Sequence, residues 1–136
     1  MKHEEKVVIL DFGSQFTQLI ARRVREAGVY SEIHPFCINL EELRALNASA
    51  LILSGGPSSV LGKDAPMVDP EIFDWGLPVL GICYGMQFMS HVMPGGRVAA
   101  STDREYGRAE LSLTFDSPLW EGLSKDRPLT VWMSHG

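Results

Sequence analysis

One cysteine stands where a strand must give way to a helix. In Pro78-Val79-Leu80-Gly81-Ile82-Cys83-Tyr84-Gly85-Met86-Gln87 an apolar run ends at Cys83 and a helical pattern begins. A strand–nucleophile–helix turn with small neighbours forces a reactive side chain out of a tight bend. Gly81 and Gly85 leave room for that bend and for the helix to pack close. The positive end of the following helix favours a thiolate. The Tyr84 amide would face an oxyanion formed beside the sulfur. A small buried cysteine gives the same local pattern and is the commoner case.

A second candidate segment is Ser54-Gly55-Gly56-Pro57-Ser58-Ser59. Two glycines before a proline can present a backbone N–H to a cavity, either as an anion nest or as a second oxyanion donor. No Gly-Lys-Ser/Thr follows, so it is not a Walker loop. A plain turn is the simpler reading. Gln87 lies one turn after Cys83, where it could hold a ligand on the sulfur's side or merely end a polar helix face. A cysteine nucleophile also needs a base, usually histidine. His3 is in the tail, and His34 before Pro35 reads as a surface residue. His91 is eight residues past Cys83, about 12 Å along a continuous helix. Spacing gives His135 no role as a base.

These residues need a scaffold. Val7–Phe12 is a continuous apolar run, as expected of a strand covered on both faces. Tyr30–Pro35, Ala50–Leu53 and Val79–Ile82 are further strands. Phe16, Leu19, Ile20, Val24 and Ala27 recur at helical spacing, with Gly28 as the stop. Asn39 opens a short helix to Leu46, with Glu42 in capping-box position. Glu71–Trp75 is a short helix and Met86–Met93 a longer one. The period then changes: Arg108–Phe115 alternates like a half-exposed strand, and Leu129–Met133 is another. Alternating strands and helices predict an α/β fold, a doubly wound and mostly parallel sheet with helices on both faces. The loops at Gly13-Ser14, Gly55-Gly56 and Cys83-Tyr84-Gly85 would then share the carboxyl edge, where such sheets bind ligands.

Bulk properties narrow the classes. The 136 residues suit one domain, and 45% hydrophobic with 21% charged is ordinary globular composition. A net charge of −5 argues against a nucleic-acid surface. Arg22, Arg23 and Arg25, followed by Glu26, read as a solvated helix face. Cys37 and Cys83 make no disulfide framework, and no Cys/His spacing suggests a metal. No run is long enough to span a membrane, and a reducing cytoplasmic setting is the default.

Together, Gly81, Cys83, Gly85 and Gln87 form a G-x-C-x-G-x-Q turn that resembles the class I glutamine amidotransferase family. "VVILDFGSQFTQLIARRVRE", "LILSGGPSSV", "REYGRAEL" and "VWMSHG" resemble the GMP synthetase branch of it. The resemblance implies a flavodoxin-like glutaminase domain. Cys83 would be the nucleophile, with the Gly56 and Tyr84 amides as the oxyanion hole. Gly55, Pro57, Gln87, Ser134, His135 and Gly136 would bind glutamine. Ammonia would pass to an ATP-pyrophosphatase (synthetase) domain, in cis or in trans, that aminates XMP to GMP. The glutaminase domain itself would need no cofactor, whereas ATP and Mg2+ would serve the synthetase domain, and the parent protein would be a homodimer.

The family's catalytic histidine and glutamate lie in a His-Pro-Glu segment downstream of Ser134-His135-Gly136. By that reading residues 1–136 are a domain incomplete at its C-terminus, without the synthetase and dimerisation domains. Alone, this chain would be weakly active or inactive. Two other readings stand beside it: the glutamine subunit of a different biosynthetic synthase, and a non-catalytic flavodoxin-like binding module.

Overall fold

Val8, Ile9 and Leu10 are consecutive and all fully buried. Successive strand residues point to opposite faces, so both faces of this strand must be covered. The computed structural model, which describes residues 5–56, 62–93, 95–99, 105–113, 117–123 and 126–135, shows how. Four strands, β1 (Lys6–Asp11), β2 (Tyr30–Pro35), β3 (Ala50–Leu53) and β4 (Val79–Gly81), form a parallel sheet in the order β2-β1-β3-β4. Val8 and Leu10 of β1 and Leu51 and Leu53 of β3 face one core with Leu43, Ile72, Tyr84 and Phe88. Ile9 and Ile52 face the other, with Ala21.

Helix α1 (Thr17–Glu26) covers the Ile9 face. Its inward stripe is Thr17, Ile20, Ala21 and Val24, which are three and four residues apart. The sequence pattern also assigned Phe16 and Leu19 to this stripe, yet both are exposed. Leu19 lies about 160° from Ala21 around the helix axis, and Phe16 precedes the first helical residue. Gly28 follows the helix in the left-handed region and donates its N–H to the Arg25 carbonyl at 2.9 Å. The arginines lie on the exposed side, where Arg23 pairs with Glu26 at 3.0 Å.

The opposite face carries α2 (Leu40–Ala45), a 3-10 helix at Pro70–Asp74, and α3 (Tyr84–Val92). Asn39 caps α2 by accepting the Glu41 N–H at 2.8 Å. Helix α3 begins two residues earlier than the apolar pattern indicated. The Cys83 carbonyl already accepts the Gln87 N–H at 3.1 Å, which closes the first turn at the bend itself.

A second compact unit spans Ala100–Gly136. There β5 (Glu105–Leu111) runs antiparallel to β6 (Leu129–His135). The sequence placed the first of these at Arg108–Phe115. The ladder instead sets the limits, because Glu105 pairs with His135 and Leu111 with Leu129. Leu113 lies beyond the strand, and Phe115 is outside the described residues.

At the β2 edge, Glu32 gathers three partners. Tyr30 donates its hydroxyl at 2.8 Å, His34 Nε2 lies at 3.1 Å, and Lys6 Nζ at 3.5 Å. The hydrogen bonds from His34 and then Tyr30 hold the Glu32 carboxyl below its ordinary range. A depressed carboxyl contributes stability above its unfolded pKa of about 4.3, and loses it as pH falls through the folded value. The thermal midpoint of wild type should therefore exceed that of Glu32→Gln near neutral pH. The gap should close below about pH 4, and a gap that persists unchanged into acid would contradict this.

Candidate active site

Cys83 follows β4 and immediately precedes α3. Its backbone sits at φ 51°, ψ −111°, a conformation that costs a non-glycine residue about 1–3 kcal/mol. The side chain is exposed. The small-buried-cysteine reading therefore fails, because the bend turns the thiol outward.

Close neighbours enforce the bend. A Cβ on Gly81 would lie 2.7 Å from Met89 Sδ and 2.8 Å from the Met86 nitrogen. A Cβ on Gly85 would strike the Leu53 carbonyl oxygen and lie 2.7 Å from Leu53 Cβ. Helix α3 can thus start directly against β3 and β4 only with hydrogen at both positions. Tyr84 then plunges into the core. Its ring centroid is 5.2 Å from that of Phe12, and its hydroxyl donates to the Pro66 carbonyl. Burial raises its phenol pKa, so it remains a donor.

The other two loops meet Cys83 as the parallel order requires. A Cβ on Gly55 would be 3.2 Å from Cys83 Cβ and 3.8 Å from Ser14 Oγ. The turns after β1, β3 and β4 therefore converge on one point, beside the β1/β3 position where the strand order reverses. Gly56 presses on Phe12, whose carbonyl oxygen leaves no space for a Cβ. The β1 turn is tied by Asp11, whose Oδ1 accepts the Gly13 N–H at 2.8 Å and the Thr17 hydroxyl at 3.0 Å.

Buried Ser54 ties all three turns together. Its N–H donates to the Leu10 carbonyl at 3.0 Å, and its own carbonyl accepts the Gly85 N–H at 3.1 Å. Its Oγ accepts the Phe12 N–H and donates to the Gly55 carbonyl, both at 3.0 Å. The Gly85 N–H also reaches the Ile82 carbonyl at 2.9 Å. Among the described residues, the amides of Gly56 and Tyr84 have no acceptor. Such uncommitted amides around an exposed thiol can stabilise negative charge on a reacting carbonyl.

Gln87 is half-buried on the first turn of α3, four residues after Cys83 and on its side of the helix. Pro57 and Gly136 lie outside the described residues. Ser134 and His135 belong to the second unit, where their backbones pair with Tyr106 and Glu105. His34 is the penultimate residue of β2, the strand farthest from β4, and is engaged with Glu32. His91 is exposed in the last turn of α3. Neither histidine is placed to share a proton with Cys83. Sequence reading missed the part of Ser54. Ser54 followed directly on an apolar strand, which was the available signal that its hydroxyl would be buried and need partners.

The profile of the class-I glutamine amidotransferase family matches residues 8–136. The chain belongs to that family. It is 64% identical over its whole length to the glutamine-hydrolyzing GMP synthase of Solidesulfovibrio magneticus, covering 26% of that protein. It is 56% identical over 134 residues to the same-named enzyme of Geobacillus kaustophilus, again covering 26%. The chain thus spans about a quarter of the length of these curated relatives. Among solved structures it resembles a Thermoplasma acidophilum protein assigned as part of a GMP synthase. That match has a TM-score of 0.76 and 30% identity, and covers 99% of this chain and 66% of the other. The class-I amidotransferase fold expected from the sequence is therefore the fold found.

In this chain, Gly85→Ala should lower stability by about 1–3 kcal/mol in urea unfolding, because the new methyl meets rigid β3 backbone. A variant as stable as wild type would mean that α3 starts farther from β3.

Proposed function

We propose that this chain supplies the glutaminase part of a GMP-forming synthetase. The observation that carries the proposal is the exposed Cys83, held at positive φ against Gly55 and beside uncommitted amides. The Cys83 thiolate attacks the side-chain amide carbon of glutamine. The carbonyl oxygen becomes an oxyanion and accepts hydrogen bonds from the amides of Gly56 and Tyr84. Collapse breaks the C–N bond. The nitrogen takes a proton and leaves as ammonia, and a γ-glutamyl thioester remains on Cys83. Water cleaves the thioester to glutamate and restores the thiol.

By resemblance to the family, Gly55, Pro57 and Gln87 bind glutamine. The same resemblance assigns Ser134, His135 and Gly136 to glutamine binding. The proton acceptor for Cys83 is a residue other than His34 and His91, in keeping with a catalytic histidine and glutamate downstream of Gly136. Ammonia is consumed by an ATP-pyrophosphatase domain that activates XMP with ATP and Mg2+. This is cytoplasmic purine-nucleotide chemistry by a homodimeric ligase. Among the described residues no helix is long and apolar enough to cross a membrane.

In the full-length protein, Cys83→Ala should cut ammonia release from glutamine by at least about 1,000-fold. XMP amination with added ammonium salt should be unaffected. Substantial glutamine turnover in the variant would overturn Cys83 as nucleophile. Failure of the wild type to aminate XMP from either nitrogen source would overturn the synthetase assignment.

A further inference from the structure

A peptide plane has two polar faces, and holding one aims the other. In a trans peptide the C=O and the following N–H point in opposite directions. The Gly55 carbonyl is held by the Ser54 hydroxyl at 3.0 Å. The same oxygen of Ser54 accepts the Phe12 N–H through a lone pair, which leaves its proton available to the Gly55 carbonyl. Ser54 itself cannot swing, because its N–H and C=O are bound to Leu10 of β1 and Gly85 of α3. The Gly55–Gly56 peptide is flanked by two residues without side chains, which otherwise leave its orientation soft. Its carbonyl is turned toward buried Ser54, and its N–H is turned away from it.

We propose that the Ser54 hydroxyl is a positioning residue for the oxyanion hole: it fixes the sense of the Gly55–Gly56 peptide so that the Gly56 N–H faces the reacting carbonyl above Cys83. The inference rests on the glutaminase reading for its chemistry. The pin itself stands on the hydrogen bonds of Ser54. Without the hydroxyl, the Phe12 N–H and the Gly55 carbonyl both lose a buried partner. The peptide can then rotate and turn its carbonyl, which repels an oxyanion, toward the site. Ser54 touches no substrate, and its effect passes wholly through Gly56.

The test separates oxyanion stabilisation from thiol access. Two electrophiles are applied to the full-length protein with Cys37 replaced by serine. Iodoacetamide alkylates a thiolate by displacing iodide and needs no oxyanion hole. The chloromethyl-ketone analogue of glutamine alkylates Cys83 with loss of chloride while its ketone oxygen occupies the hole. In Ser54→Ala the chloroketone rate should fall at least tenfold, the iodoacetamide rate should stay within about twofold, and Ser54→Thr should recover most of the loss. In glutamine hydrolysis, kcat should fall more than KM rises. Equal slowing of both reagents, or no slowing of either, would overturn the proposal.

Amide exchange in the unsubstituted protein gives a reading that does not depend on the variant folding. The Gly56 N–H should exchange freely before labelling and become at least tenfold slower once the chloroketone is attached. A Gly56 N–H already protected in the free protein, or unchanged by the label, would also overturn it. Were the unsubstituted protein to take up iodoacetamide but neither chloroketone nor glutamine, the glutaminase reading itself would fall. Normal turnover with a Ser54→Ala variant indistinguishable from it would remove the Ser54 role alone.

Discussion

The arrangement around Cys83 depends on the hydrogen bonds of one buried serine. Ser54 follows β3 directly, and its four polar contacts reach the C-terminal end of β1, the Gly55 carbonyl and the start of α3. Each such bond contributes about 1 kcal/mol net, but leaving any partner buried and unpaired costs about 1–3 kcal/mol. The three turns are therefore held together more firmly than their glycine-rich sequences suggest. That firmness allows Cys83 to keep a backbone conformation that is unfavourable on its own.

Steric necessity supports the same arrangement from the helix side. Gly81 and Gly85 let α3 start within contact of β3 and β4, and Tyr84 anchors the first turn through Phe12 and Pro66. The strand delivers the cysteine, the helix takes its backbone away at once, and the thiol remains outside. Parallel strand order brings the β1 and β3 turns to the same edge. The glutaminase chemistry proposed for that edge draws on one thiol and on the amides of Gly56 and Tyr84.

Much of this was legible in the sequence, for physical reasons. Continuous apolar runs in Val7–Leu10 and Leu51–Leu53 mark strands covered on both faces. The Gly81–Gln87 spacing marks the bend. What escaped was set by partners distant in the chain. Leu19 fits a helical apolar stripe, but the sheet chooses the stripe through Thr17 and Ala21. The extent of β5 follows from its pairing with β6 rather than from its own alternation. Ser54 reads as the first residue of a turn, and its hydroxyl acquires its contacts only when β1 is alongside. The exposure of Cys83 was equally hidden, since a buried and an outward cysteine share the same local pattern.

The most direct measurement is the mass of the Cys83-containing peptide after the full-length protein is mixed with glutamine and quenched in acid within milliseconds. The account predicts a γ-glutamyl adduct on that peptide, labile to hydroxylamine and absent from Cys83→Ser under the same quench. Glutamine consumed at the normal rate, with no adduct on Cys83 at any quench time and undiminished turnover in Cys83→Ser, would contradict it.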